Sequence, residues 1–89
     1  MEVYYWRRDN GDYILFRSKG AQYVAEYGAY DFVLTENKEL GGWILRYYHR
    51  TGPTSGTGGQ VAFFDGDLPP NELLEREVES FLKVMDRVP

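Results

Sequence analysis

Apolar and polar residues alternate along most of the first 65 positions, which is the period of strands with one buried face. Residues 3–8 favour a strand, Asn10-Gly11 follows them, and residues 13–17 alternate again. Asn-Gly between two such runs predicts a hairpin with a two-residue type I′ turn, because both residues tolerate the positive φ angles it requires. A second turn at Lys19-Gly20 leads into a strand at 22–27.

Two-residue turns fix a register, and directly opposite residues share a face of the sheet. One face then carries Val3, Tyr5, Ile14, Phe16, Tyr23, Ala25 and Tyr27, with Arg7 and Ser18 at its margins, and is expected to be the core. The other carries Tyr4, Trp6, Tyr13, Leu15 and Val24 among Arg8, Arg17, Gln22 and Glu26. In this register Trp6 stands opposite Leu15, and Tyr4 opposite Arg17. Such a face is too apolar for ordinary surface and too charged for a core.

Further along, residues 31–36 read as a strand and 37–42 as a turn. In residues 43–50, Trp43, Leu45, Tyr47 and His49 alternate with Ile44, Arg46, Tyr48 and Arg50. Residues 51–59 hold four glycines, a proline and no large apolar side chain, which predicts a mobile loop. Residues 60–65 return as a last strand.

The period then changes from two to that of a helix. Leu74, Val78, Phe81, Leu82 and Met85 recur on one helical face, opposite Glu72, Glu75, Arg76, Glu79, Lys83 and Asp86. Glu72/Arg76 and Glu79/Lys83 stand at i,i+4 in the favourable order, and Asn71 or Asp67 is placed to cap the N-terminus. A helix over 70–87 cannot stand alone, because its buried stripe does not offset its ordering entropy. The expectation is an α+β fold: a five- to six-stranded antiparallel sheet over 2–65, as a meander of hairpins, with one amphipathic C-terminal helix on one face, all in a single domain over 1–89.

Composition narrows the function. The chain has no cysteine, so disulfides, thiolate catalysis and cysteine-ligated zinc are excluded. His49, the one histidine, follows the apolar parity of its strand and reads as a packed strand-end residue. Asp65-Gly66-Asp67 lacks the later ligands of a calcium loop and reads as a turn. The glycine-rich 51–59 segment lacks a lysine and leads into a strand, so it does not read as a phosphate loop. Ser18, Ser55 and Ser80 stand in no nucleophile motif. These readings predict no enzyme, no cofactor and no metal. No apolar run approaches the roughly 20 residues of a membrane span, and residues 1–6 lack the pattern of a signal peptide, so a cytoplasmic protein with no membrane association is expected.

The net charge is −4. Residues 1–64 hold seven bases and seven acids, so the excess acid belongs entirely to residues 65–89. Two interaction surfaces therefore suggest themselves. One is the aromatic sheet face, with Tyr4, Trp6, Arg8, Tyr13 and Arg17 as partner-binding residues, since interface centres are rich in aromatics and arginine. The other is the acidic helix, with Glu72, Glu75 and Glu79. The function expected is a non-catalytic interaction module, an adaptor or inhibitor, with another protein or a second copy as partner. The alternative is a single-stranded nucleic-acid platform, with bases stacked on Tyr4, Trp6 and Tyr13 and phosphates held by Arg8 and Arg17. Net acidity disfavours it.

Overall fold

The computed structural model describes residues 4–50 and 55–86. Six antiparallel strands, β1 (Tyr4–Arg7), β2 (Tyr13–Lys19), β3 (Gln22–Tyr27), β4 (Tyr30–Asn37), β5 (Gly42–His49) and β6 (Gly58–Asp65), form one meander in sequence order. The helix α1 (Asn71–Asp86) follows. Gly58 and Gly59, read from sequence as loop, pair with Tyr48 and Tyr47 and belong to β6. Part of that expected loop, 51–54, lies outside the described residues. Its neighbours are tied down: the Gly56 N–H donates to the His49 carbonyl at 2.8 Å, and the Ser55 hydroxyl to the Arg50 carbonyl at 3.1 Å.

The first hairpin departs from the predicted register. Arg7 pairs with Tyr13, Trp6 with Ile14 and Tyr4 with Phe16. The Arg8 N–H donates to the Asp12 carbonyl at 2.7 Å, and the Gly11 N–H to the Arg8 carbonyl at 2.9 Å, so the loop has three residues, Asp9-Asn10-Gly11. Gly11 alone takes a positive φ, 94°, and Asn10 does not. A type I turn closed by a left-handed glycine has that geometry, whereas a type I′ turn needs positive φ at both central residues. The Asn10 side chain accepts the Asp12 N–H at 2.9 Å and holds the turn. An odd loop shifts the pairing by one residue, and that turns every side chain of β1 to the opposite face. Tyr4 and Trp6 are therefore in the core, each 5% exposed, and Tyr5 faces outward at 53%.

From β2 onward the predicted core face holds. Ile14, Phe16, Ala25, Phe32, Leu34 and Leu45 are buried, and with Tyr4, Trp6 and Phe64 they meet Leu74, Val78 and Leu82 of the helix in one cluster. Phe81 lies 4.5 Å from the Tyr47 ring centroid and edge-on to Phe32 at 5.6 Å. His49 packs beside these rings, tilted against Tyr30 at 5.4 Å and edge-on to Tyr47 at 5.8 Å.

The helix backbone comes closest to β1 and β6, the two outermost strands. A flat six-stranded sheet is roughly 24 Å wide and a helix only about 10–12 Å across. The sheet must therefore curl around α1, leaving one concave, filled face and one convex, outward face. Helix entry also differs from expectation. The Pro70 carbonyl accepts the Leu73 and Leu74 N–H groups, so Pro70 occupies the capping position. The Asn71 side chain accepts the Tyr5 N–H at 3.1 Å instead, tying the helix start to the edge of β1.

Gly42 illustrates how tightly the last hairpin is built. A Cβ there would overlap the Phe64 carbonyl oxygen and strike the Phe63 ring. Gly42→Ala is expected to cost about 1–3 kcal/mol, measured as a lower denaturant midpoint at unchanged slope.

Candidate functional site

The convex face is built by residues of one parity from every strand. Tyr5 and Arg7 come from β1, and Tyr13, Leu15, Arg17 and Lys19 from β2. The ladder then runs Arg17, Val24, Val33, Arg46 as successive cross-strand neighbours, with Lys19, Gln22, Thr35, Ile44 and Phe63 as the next row. Arg17 and Arg46 thus bracket two valines across three strand spacings, roughly 14 Å.

At the β1 end Tyr5 and Tyr13, each 53% exposed, stack with centroids 5.3 Å apart and planes 17° from parallel. The Arg7 guanidinium sits 5.6 Å from the Tyr13 ring centroid. The Tyr5 hydroxyl titrates above the ordinary tyrosine range. Loss of solvent is the main cause, the Tyr13 phenol adds to it, and Arg7 works in the opposite direction. The Tyr5 phenol is therefore neutral at physiological pH, with the Arg7 cation beside its stacking partner.

Charge on this face is uneven. Asp31 is engaged by Arg50, whose Nε lies 3.3 Å from Asp31 Oδ1. That leaves Arg7, Arg17, Lys19 and Arg46 against Glu26 and Asp65, a basic face on an acidic chain. The compensating acids, Glu72, Glu75, Glu77 and Asp86 with Asp67, lie on α1 and the turn before it. The surplus of base thus lies on the convex face and the surplus of acid on the α1 side.

The residues named from sequence are divided by this geometry. Tyr13 and Arg17 are exposed on the convex face, where they were expected. Tyr4 and Trp6 are not on it. The Tyr4 hydroxyl donates to the Pro69 carbonyl at 2.7 Å, and the Trp6 indole stacks on Phe16. Arg8 is spent internally: its Nε donates to both Glu79 carboxylate oxygens at 3.0 and 3.1 Å, and its Nη1 to the Tyr27 hydroxyl at 2.8 Å. Burial lowers the Arg8 pKa, but the bonds to Tyr27 and Glu79 outweigh it and hold the guanidinium above its ordinary value.

Glu79 also accepts the Trp6 Nε1–H at 2.9 Å, so it faces β1 and not Lys83. Glu79 therefore drops out of the acidic helix surface, on which Glu72 stays exposed and Glu75 half-buried. Tyr5, Arg7, Lys19, Val33 and Arg46 were absent from the sequence reading of the site. The same one-residue slip that removes Trp6 supplies Tyr5 and Arg7.

Among the described residues no group of three His, Cys, Asp or Glu side chains could hold a metal ion, and no helix is long and apolar enough to cross a membrane. Comparison of the chain with protein-family models, with curated proteins and with solved structures finds no match in any of the three.

Proposed function

We propose that this chain is a non-catalytic interaction module whose convex sheet face docks an acidic polypeptide. The observation that carries this reading is the half-exposed Tyr5–Tyr13 stack beside Arg7 and the Arg17–Val24–Val33–Arg46 row, on a face that α1 does not cover. Tyrosine and arginine around small apolar patches are what interface centres enrich. The surplus of base selects an acidic partner and speeds its encounter. A nucleic acid would use the same rings and cations, but the chain's net charge of −4 opposes the long-range approach of a phosphate backbone.

The test is titration of isotope-labelled protein, followed by amide shifts, with two probes: a peptide rich in Glu and Asp with Leu and Phe anchors, and an oligothymidine strand. The peptide is expected to shift residues 5, 7, 13, 17, 24, 33 and 46. Tyr13→Ala or Arg17→Glu is expected to weaken it by at least about tenfold while leaving the melting transition in place. Tighter, salt-steep binding of the oligonucleotide at these amides would replace the protein reading with the nucleic-acid one. Shifts from neither probe would dismiss the face as a docking site.

A further inference from the structure

The two edges of the sheet are not equivalent. The β1 edge is four described residues long, and its Tyr5 N–H is already taken by Asn71, with Glu79 holding the Trp6 and Arg8 side chains beside it. The β6 edge is eight residues long, and among the described residues no backbone or side-chain hydrogen bond reaches it from outside the β5–β6 hairpin.

Alternation along the ladder shows which backbone groups are open. The His49 N–H donates to the Thr57 carbonyl and the Gly66 N–H to the Gly41 carbonyl, so odd-numbered residues of β5 aim their backbone at β6. Trp43 pairs with Phe64 and Ile44 with Phe63. The Phe64 N–H and C=O therefore point into the sheet, and those of Phe63 and Asp65 point away from it. The open groups border a groove floored by Ala62 and Phe64 and rimmed by Leu73, Arg76 and Glu77 of α1.

Natural edge strands are guarded by proline, lysine, inward charge or a bulge. Residues 58–64, Gly-Gly-Gln-Val-Ala-Phe-Phe, contain no charge and no proline. Their one guard is the bulge opposite Leu45 and Arg46, and it lies before the straight segment at 62–65. We infer that this edge is the self-association surface of the protein: two copies pair β6 with β6 antiparallel about a two-fold axis at Phe63.

Each Phe63 N–H then donates to the Phe63 carbonyl of the second copy, and the two rings, each 39% exposed, meet on the convex face. The charges suit this arrangement. Antiparallel pairing sets the two Asp65 side chains roughly 13 Å apart, beyond the screening length of about 10 Å at 0.1 M salt. Among the described residues the β6 edge is the longer one, and at the β1 edge the Tyr5 N–H is already occupied. An isologous contact about a two-fold axis uses the same edge of both copies and forms a closed dimer and not a fibre.

Sedimentation equilibrium is expected to give about twice the 10.4 kDa of one chain. In hydrogen exchange on the unmodified protein, the Phe63 amide should become more protected as protein concentration rises, while the Phe64 amide is protected throughout. Phe63→Lys sets two lysines directly opposite each other across the axis, and it should raise the dimer dissociation constant at least about tenfold. A single-chain mass at the highest soluble concentration, or a Phe63 amide that exchanges freely at every concentration, overturns the inference. The exchange readout does not depend on a variant folding, and neither result bears on whether the Tyr5–Tyr13 face binds a partner.

Discussion

Trp6→Ala should destabilise the protein by about 3–5 kcal/mol, the usual cost of emptying a large aromatic site in a core. The stability of a domain this size is about 5–15 kcal/mol in total, so the variant should be marginal and show a much lower denaturant midpoint. Trp6 stacks on Phe16 beneath the helix, and its indole N–H is bound by Glu79, so the deletion also strips a partner from a half-buried carboxylate. Tyr5→Ala, one residue away, removes a half-exposed ring and one cross-strand stack, which is about 0.2–1 kcal/mol. This contrast between adjacent residues tests the hairpin register. With a two-residue turn at Asn10-Gly11, Tyr5 would be the buried residue and the order of the two effects would reverse. Equal unfolding midpoints for the two variants would leave the three-residue loop without support.

Most of the fold is legible in the sequence because period-two and helical patterning is set by which side chains must leave water. Leu74, Val78 and Leu82 could be assigned to the core with no knowledge of the sheet. The same held for Ile14, Phe16 and Ala25, whose parity is shared across a short turn. The face of β1 was not legible, because it depends on whether three residues or two form one loop, and Asp-Asn-Gly is compatible with both. Val-Tyr-Tyr-Trp gives no help: with aromatics at both parities, either register buries a large ring. The site inherits that ambiguity, since which β1 residues lie on it depends on the loop length, while the place of Tyr13 and Arg17 on β2 does not. The contacts that hold the three-residue loop reach beyond the turn. Asp12 after Asn10-Gly11 gives the loop a side chain that accepts the Tyr27 hydroxyl at 2.6 Å, while its N–H is taken by Asn10. That distinction lies in tertiary partners and not in turn propensity.

The role of Glu79 was also hidden, for a different reason. On a helical wheel it belongs with Glu72 and Glu75 and is matched by Lys83 at i,i+4. The bifurcated contact of Arg8 Nε with both Glu79 oxygens becomes possible only once the sheet has curled enough to bring β1 alongside the helix. Glu79→Ala is expected to cost about 2–4 kcal/mol, because it leaves the largely buried Arg8 guanidinium and the Trp6 N–H with unmet bonding capacity. Glu75→Ala, on the neighbouring helical turn, should change stability by no more than about 0.5 kcal/mol.

A double-mutant cycle separates the pair from its surroundings. If Arg8 and Glu79 act together, Arg8→Met in the Glu79→Ala background should cost much less than in the unmodified chain, with a coupling of about 1–3 kcal/mol. Additive effects would mean that Glu79 acts through Trp6 alone. The outcome also bears on the surface reading of the helix. A carboxylate held by two groups of β1 cannot serve a partner without breaking the latch between the helix and the sheet edge. Any loss of partner binding in Glu79→Ala should therefore track its loss of stability, whereas Glu72 and Glu75 can be reversed in charge with the fold unchanged.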